Sequence, residues 1–280
     1  MSLMSAVKQL FAEPIPTRYF ALRFLDRRLN LLSYAQKLHV GSIERPHYGY
    51  CMLEAAKLAA KLGHPAISVI EFGVAGGNGL LSMERHAGFV EQATGVKIEI
   101  FGFDLGSGLP SPQDYRDLPY LWQSGYYQMD EAKLQGRLQR SKLKLGPVKE
   151  TVKSFLESFG SSPPPPIGFI SFDLDYYSST VEALHVFSGG STSVLPRVVC
   201  YFDDVAGDCE AAFNVFTGEL LAIAEFNSAN DRVKIAECKG LRFSQGSIPR
   251  LWHEQIYIAH LFRHPDYQRP IHASTQLPLS

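Results

Sequence analysis

The sequence predicts an α/β protein built on a doubly wound, mostly parallel sheet with helices on both faces. Short apolar runs with strand character, such as residues 67–70 and 167–172, alternate along the chain with segments of helical spacing. The second of these runs is apolar almost throughout, as expected for a strand that is covered on both faces. Strands that alternate with helices pair in parallel through crossover connections, so the pattern indicates a Rossmann-like sheet.

The individual elements follow from local signals. Apolar residues at helical spacing end at Gly63, so residues 1–62 are predicted to be an N-terminal helical extension and residues 63–280 a Rossmann-like domain. Residues 105–129 combine aromatic residues with Pro and Gly and are predicted to form a lid or cap. The predicted strands cover residues 67–70, 96–104, 142–148, 167–172, 198–202 and 255–261. The predicted helices lie near 78–94, 130–140, 151–156, 177–188 and 208–227.

Composition limits the class of partner. The chain has 280 residues with 27 Lys+Arg against 28 Asp+Glu, a formal net charge of -1, so no overall field favours nucleic acid or an anionic membrane. The four cysteines show no C-x-x-C spacing, which argues against structural zinc and for a reducing compartment. No apolar run approaches the roughly 20 residues that span a bilayer. These observations predict a soluble cytoplasmic protein whose partner is a small molecule.

Four predicted strands each end in an acidic residue: Glu71, Asp104, Asp173 and Asp203. The carboxyl ends of parallel strands meet at one edge of the sheet, where open α/β sheets bind ligands, so we expect the four acids to share one rim. A single Asp after a strand is more often a helix cap or a turn former. Four acids on one rim repel one another, so ligand hydroxyls, an ammonium group or a metal ion should compensate them.

The first acid begins the glycine-rich segment 71–79, E-F-G-V-A-G-G-N-G, which favours a tight turn and lets a ligand approach backbone N–H groups at a helix start. This segment does not match G-x-G-x-x-G, so by itself it fits NAD, a flavin or only a turn. Asp104 follows Gly79 by 25 residues and is placed to accept hydrogen bonds from ribose hydroxyls, which indicates an adenosine-type ligand. The candidate cofactor-binding residues are Glu71, Gly73, Val74, Ala75, Gly77, Asn78 and Asp104.

Three further segments resemble the macrocin O-methyltransferase family. In residues 101–110, F-G-F-D-L-G-S-G-L-P, the strand ends in an Asp followed shortly by Gly-Leu-Pro, as it does in that family. Residues 173–180, D-L-D-Y-Y-S-S-T, look like the family's D-x-D-x-Y-x-S-T signature. The pair Asp203-Asp204 resembles the paired acids that follow the next strand in that family, and the likeness covers roughly residues 66–210.

The resemblance implies methyl transfer from S-adenosylmethionine to a hydroxyl group of a small molecule, commonly a sugar. It also implies a divalent cation, Mg²⁺, held by Asp173, Asp203 and Asp204, and hard Mg²⁺ prefers such carboxylate oxygens. We nominate Asp175 as the general base, because a carboxylate free of the cation is the better proton acceptor. An exchange of roles between Asp173 and Asp175 stays open.

Other interpretations also stay open. The pair Asp203-Asp204 could cap the helix predicted near residue 208. An NAD(P)-dependent oxidoreductase would share the sheet and the glycine turn, but it gives no reason for the later acids. A noncatalytic nucleotide-binding protein is the third possibility. The expected partners are a small-molecule hydroxyl acceptor and neither nucleic acid nor membrane.

Overall fold

The computed structural model describes residues 16–207, 212–244 and 250–271, which form one seven-stranded sheet flanked by helices. The strands are β1 (Ala66–Phe72), β2 (Lys97–Asp104), β3 (Lys142–Leu145), β4 (Ile167–Phe172), β5 (Val194–Phe202), β6 (Val233–Glu237) and β7 (Ile256–Leu261). The helices are α1 (Pro16–Leu29), α2 (Tyr34–Val40), α3 (Pro46–Leu62), α4 (Asn78–Thr94), α5 (Glu131–Gln135), α6 (Val148–Ser161), α7 (Tyr177–Leu184), α8 (Gly218–Ala229) and α9 (Leu241–Ser244).

The strand order is β3-β2-β1-β4-β5-β7-β6. All pairs from β3 to β5 are parallel, and only β7 runs antiparallel to its two neighbours. This arrangement confirms the predicted doubly wound, mostly parallel α/β sheet. The strand order reverses between β1 and β4, so the carboxyl ends of these two strands flank the point where such sheets bind ligands.

Side chains of the central strands alternate between two apolar layers, because successive residues of a strand point to opposite faces. Val69 and Phe169 belong to a buried cluster with residues of α3 and α4. Ile70 and Ile170 belong to a second cluster, with residues of α6, α7 and α8. The sheet therefore has helices on both faces, as predicted.

Register brings the strand ends level with one another. Phe72, the last residue of β1, is paired with Phe103 in β2 and with Phe172 in β4, and Phe172 is paired with Phe202 in β5. The residues that follow these positions therefore emerge side by side at one edge. Large buried aromatic rings stack along this row, with Phe172 and Phe202 only 4.5 Å apart between centroids.

Helix α3 packs directly on the sheet. Its buried Met52, Ala55 and Ala59 belong to the same apolar cluster as Val69 of β1 and Phe169 of β4. The small alanine side chains let the helix approach the strands closely. This packing fixes the start of α3 near the carboxyl ends of the strands, while the division of the chain after residue 62 stays a prediction.

The helix predicted at 208–227 begins later than expected. Residues 208–211 lie outside the described residues, and α8 begins only at Gly218. Within the turn before it, the side chain of Asn214 accepts a hydrogen bond from the backbone N–H of Phe216 at 2.9 Å. Such a local bond favours a turn over a helix.

Two further differences from the prediction are clear. The helix expected at 130–140 covers only Glu131–Gln135. The edge strand β6, Val233–Glu237, is not predicted from sequence, because only Val233 and Ile235 of its five residues are buried. Residues 105–129 contain turns and one short 3₁₀ turn, Tyr115–Asp117. No helix among the described residues has the length and apolar character needed to cross a membrane.

Candidate active site

A cleft of about 620 Å³ opens at the carboxyl ends of β1, β2, β4 and β5. The four strand-end acids all line it, so the expected common rim exists. Of the eleven site residues predicted from sequence, ten line this cleft: Glu71, Gly73, Val74, Ala75, Asn78, Asp104, Asp173, Asp175, Asp203 and Asp204. Gly77 is the exception, and it is absent from the lining.

The glycine loop between β1 and α4 depends on backbone conformations that favour glycine. Gly73 has a φ of 84°, and a Cβ there would overlap the backbone carbonyl of Asp173. Gly77 has a φ of 81°, and its Cβ would overlap the side chain of Leu134 from α5. Gly73 therefore lets the loop touch the end of β4, whereas Gly77 faces the helix beyond the loop.

Asp104 binds the loop itself. Its Oδ2 accepts the backbone N–H groups of Val74 at 2.8 Å and of Ala75 at 2.9 Å, and its Oδ1 accepts that of Gly106 at 2.6 Å. The sequence predicts that a ligand approaches the N–H groups of the loop. In the structure, two of these N–H groups already donate hydrogen bonds to Asp104. A carboxylate offers about four acceptor positions, so one position of Asp104 is left for a ligand hydroxyl.

Glu71 is buried beneath the start of α4, with only 2% of its surface exposed. The Tyr48 hydroxyl donates to its Oε1 at 2.7 Å, and the Ser171 hydroxyl donates to Tyr48 at 2.9 Å. A Cβ on Gly79 would overlap the Glu71 carboxylate, so glycine at that position makes room for it. Burial raises the pKa of Glu71 to about 7, with the bond from Tyr48 opposing the shift.

Asp173, Asp203 and Asp204 converge at the end of β4 and β5. Each can present a carboxylate oxygen, and these atoms lie within 4.8 Å of one another. Burial, followed by the charges of the neighbouring acids, raises the pKa of Asp173 and of Asp204 well above the usual range. The Tyr201 hydroxyl donates to Asp203 Oδ1 at 2.6 Å. The cluster has the ligand type and spacing of a divalent-cation site.

Asp175 stands apart from these three carboxylates. Its backbone has a φ of 61°, and its N–H donates to Asp204 Oδ2 at 3.1 Å. Burial, and then the charges of Asp173 and Asp203, raise the pKa of Asp175 to about 8. The side chain therefore lines the cleft beside the cluster without belonging to it.

Glu219 is a residue of this site that the sequence did not reveal. It is fully buried, lies in the first turn of α8, and accepts the backbone N–H of Asp204 through Oε2 at 3.0 Å. Burial raises the pKa of Glu219 well above its usual range. The N-cap of α8 is Thr217, so the interpretation of Asp203-Asp204 as the cap of that helix is wrong.

The segment 105–129 forms a wall of the cleft. Buried Asp117 accepts the backbone N–H and the hydroxyl of Ser178, at 2.8 and 3.0 Å, and so ties this cap to the start of α7. Trp122 and Tyr127 line the cleft, Trp122 nearly buried and Tyr127 53% exposed. The cap thus presents aromatic surface opposite the acids.

Charge in the cleft is strongly one-sided. Among the residues that the structure describes, seven carboxylates line it, including Glu182 of α7, against two cationic side chains, Arg45 and Lys149. Arg45 lies directly before α3. Such a site attracts cations and repels polyanionic ligands.

The strand order, with antiparallel β7 inserted between β5 and β6, and the cleft at the β1/β4 switch define a Rossmann-like fold, and methyltransferases of known structure share this fold. The calicheamicin methyltransferase CalS11 has a similar structure, with a TM-score of 0.52 and 19% identity over 90% of this chain and 95% of CalS11. The O-methyltransferase NovP is also similar, with a TM-score of 0.50 and 13% identity over 77% of this chain and 80% of NovP. No protein-family model matches the chain, and no curated protein matches it either.

Proposed function

We propose that the chain is an S-adenosylmethionine-dependent, divalent-cation-assisted O-methyltransferase that acts on a hydroxyl group of a small molecule, with sugars as the first class to test. The observation that carries this proposal is the convergence of Asp173, Asp203 and Asp204 within 4.8 Å on the cleft that also holds the glycine loop. The resemblance of its motifs to macrocin O-methyltransferases supports the proposal, as does the likeness of fold to CalS11 and NovP.

The charge of the cleft supports this cofactor over a dinucleotide. S-adenosylmethionine carries a sulfonium cation, which suits a rim lined by seven carboxylates. NAD(P) carries a pyrophosphate, which binds free backbone N–H groups at a helix start. Here Asp104 already accepts the N–H groups of Val74 and Ala75, and its negative charge would repel a phosphate.

Within this proposal the predicted cofactor residues divide into two groups. The backbone of Gly73, Val74, Ala75 and Asn78 contacts the cofactor, and Asp104 accepts one ribose hydroxyl at its remaining acceptor position. Glu71 lies beneath the loop and supports it through its contact with Gly79, and Gly77 shapes the loop from behind. The loop is thus a fixed surface on which the cofactor lies.

The carboxylate oxygens of Asp173, Asp203 and Asp204 are suitable ligands for a divalent cation. Three carboxylates supply hard oxygen ligands and leave further positions for water or for hydroxyl groups of an acceptor, which is the pattern that Mg²⁺ favours. When bound, such a cation lowers the pKa of an acceptor hydroxyl and orients it. Tyr201 and Glu219 hold Asp203 and the backbone of Asp204 in place for this role.

Asp175 is the proposed general base. Its carboxylate lines the cleft beside the cluster, and its backbone N–H is fixed by Asp204. Asp175 accepts the proton of the acceptor hydroxyl while the hydroxyl oxygen takes the methyl group, and S-adenosylhomocysteine is the product. Trp122 and Tyr127 cover the opposite side and limit the access of water.

Calorimetry with S-adenosylmethionine and with NAD⁺, followed by turnover assays on a panel of sugars, tests the proposal. We expect binding of S-adenosylmethionine and not of NAD⁺, and release of S-adenosylhomocysteine that stops in EDTA and returns with Mg²⁺. If the protein binds NAD⁺ and not S-adenosylmethionine, the proposed methyltransferase activity is wrong and an oxidoreductase activity is supported. Turnover that persists in EDTA would remove the cation from the mechanism.

A further inference from the structure

Arg45 occupies a strained position at the mouth of the cleft. It precedes α3 as its N-cap residue, with a φ of 42° and a ψ of 59°. This left-handed conformation is unfavourable for a non-glycine residue, and such strain persists only where surrounding contacts enforce it. The side chain lines the cleft. Contacts with neighbouring residues must therefore hold the backbone of Arg45 in this unfavourable conformation.

His86 of α4 supplies those contacts. Its Nε2 lies 3.0 Å from the carbonyl oxygen of Glu44 and 3.2 Å from that of Arg45, so Nε2 must carry the proton and donate it. Nδ1 then accepts from the Tyr34 hydroxyl at 3.0 Å. Burial lowers the pKa of His86 to about 4, which keeps the ring neutral and this arrangement intact. The buried ring fixes the backbone of Arg45 from below.

The charges of Glu71, Asp173 and Asp203 act on the guanidinium of Arg45, but none of these acids forms an ion pair with it. Within the part of the chain that the structure describes, it makes no hydrogen bond or ion pair, and it lies 5.4 Å from the centre of the Tyr48 ring. Burial lowers the pKa of Arg45, but Tyr48, Glu71, Asp173 and Asp203 oppose this and raise it overall. Its N–H donors are therefore free for a ligand, and the guanidinium stays charged.

The second cation of the cleft lies on the other side. Lys149 follows β3 at the start of α6, and its ammonium group is 3.7 Å from a carboxylate oxygen of Glu182. Asp104, the acceptor for ribose, belongs to β2, which lies between β3 and β1 in the sheet. A ligand with its ribose at Asp104 thus has one end towards Lys149 and the other towards the carboxyl end of β1, where Glu71 and Arg45 lie.

We propose that Arg45 binds the carboxylate at the amino-acid end of the cofactor. This inference rests on the proposed function, because it takes S-adenosylmethionine as the ligand. That carboxylate is the cofactor's only anionic group, and a rim of carboxylates repels it unless a cation faces it. A guanidinium matches a carboxylate with two parallel N–H···O bonds, which gives orientation as well as affinity. The amino-acid end is thereby fixed while the sulfonium faces the acids.

Two ligands that differ only in this carboxylate test the inference. S-adenosylhomocysteine carries it, and S-adenosyl-3-thiopropylamine is the same thioether without it. In calorimetry, Arg45→Gln should lower the affinity for S-adenosylhomocysteine by about 10- to 100-fold. Its affinity for the propylamine should stay within about twofold of that of the unmodified protein. Arg45→Lys should recover part of the loss, because it keeps the charge without the planar fork. Lys149→Gln is the matched control and should leave the ratio of the two affinities unchanged.

Each other outcome has a separate meaning. If Arg45→Gln weakens both ligands equally, Arg45 shapes the cleft and the inference is overturned, while the proposed cofactor stands. If neither affinity changes, or if Lys149→Gln alters the ratio instead, Arg45 is not the partner of the carboxylate. If the unmodified protein binds neither ligand, the proposed function itself fails. Binding of the propylamine by Arg45→Gln shows at the same time that the variant is folded.

Discussion

Both halves of the cleft contain acidic side chains, but these side chains differ in the hydrogen bonds that they accept. The half proposed to bind the cofactor, called here the cofactor half, consists of residues 71–79 with Asp104, and the Asp104 carboxylate accepts three backbone N–H groups. The half proposed to bind the acceptor, called here the acceptor half, consists of Asp173, Asp175, Asp203 and Asp204 with the cap residues Trp122 and Tyr127. Its acids mainly face one another. The only hydrogen bonds described to the side chains of its three clustered acids come from Tyr201 and from the N–H of Asp175.

This difference in hydrogen bonding determines how stable the carboxylate anions are without a ligand. A carboxylate that accepts several N–H groups is stable as an anion without a ligand. Carboxylates that crowd together in a half-buried cluster are less stable as anions, because burial and the neighbouring charges raise the pKa of Asp173 and of Asp204. The hydrogen bonds of Asp104 are therefore already made in the free protein, whereas the proposed mechanism supplies a cation to the acids of the acceptor half. Substitutions in the cofactor half should therefore change the affinity for the cofactor, and substitutions in the acceptor half should change the rate of turnover.

The largest expected effect is on turnover in the acceptor half. Asp203→Asn and Asp204→Asn each remove one negative charge from the cation site, so methyl transfer should fall by at least about 100-fold. The affinity for S-adenosylhomocysteine should stay within about twofold, because the glycine loop and Asp104 are untouched. Rates from a coupled assay and affinities from calorimetry measure the two quantities separately.

Glu54→Gln provides the matched control for this pair. It removes a carboxylate that is 38% exposed and forms an ion pair with Lys57 on the surface of α3. Its turnover should equal that of the unmodified protein. Normal turnover in Asp203→Asn and Asp204→Asn would show that these carboxylates hold no essential cation, and melting temperatures measured alongside would identify any variant that has lost its fold.

In the cofactor half the effect should fall on affinity. Asp104→Ala removes the acceptor of the Val74 and Ala75 N–H groups and the proposed partner of the ribose, so S-adenosylhomocysteine should bind about 1.5–3 kcal/mol more weakly. Glu84→Ala is the matched control, because Glu84 also accepts the backbone N–H groups of three residues, 139–141, but lies outside the cleft lining. Equal affinity losses in both variants would mean that Asp104 has only a structural role.

The position of the acids could be predicted from the sequence because it depends on topology alone. Strand runs that alternate with helices imply a parallel sheet, and the residue after each strand must then lie at one edge. That reasoning placed Asp104, Asp173 and Asp203 on one rim, where the structure has them. The short apolar runs that marked β1 and β4 are buried along nearly their whole length, which is why their signal was strong.

The rest depends on contacts that no local pattern carries. Glu219 reaches Asp204 from 15 residues along the chain, and Tyr48 reaches Glu71 from a helix that looked only amphipathic. Arg45 lines the cleft because His86 holds its backbone, a contact across 41 residues. The glycine pattern likewise could not show that Gly77 faces a helix and not the ligand.

A pair of neighbouring glycines can test how the loop is fixed. Gly77→Ala should lower the free energy of unfolding by about 2–3 kcal/mol, because it forces a side chain into a left-handed conformation and against Leu134. Gly76→Ala should cost less than about 1 kcal/mol, since a Cβ at that position meets nothing within 4 Å. Denaturant unfolding measures both values. Equal costs would contradict the assignment of Gly77 as the shaping residue.

The last expected effect is a pH dependence of stability that has opposite signs in the two halves. His86, which supports the cofactor half, has its pKa lowered to about 4, so the folded state binds fewer protons than the unfolded state between about pH 6.5 and 4. Stability from this group is present above its unfolded pKa and falls by about 2 kcal/mol between about pH 8 and pH 5.

Asp175, in the acceptor half, should respond in the other direction. Its pKa is raised to about 8, chiefly by burial and then by Asp173 and Asp203, so the metal-free folded state binds the extra proton and gains stability as the pH falls from about 8 to 4. Denaturant unfolding in EDTA across this range measures the two contributions as differences from the unmodified protein. His86→Gln should remove the loss on the acid side, and Asp175→Asn should remove the gain. If both variants shift the pH profile in the same direction, the two halves do not differ in the way that their hydrogen bonds indicate.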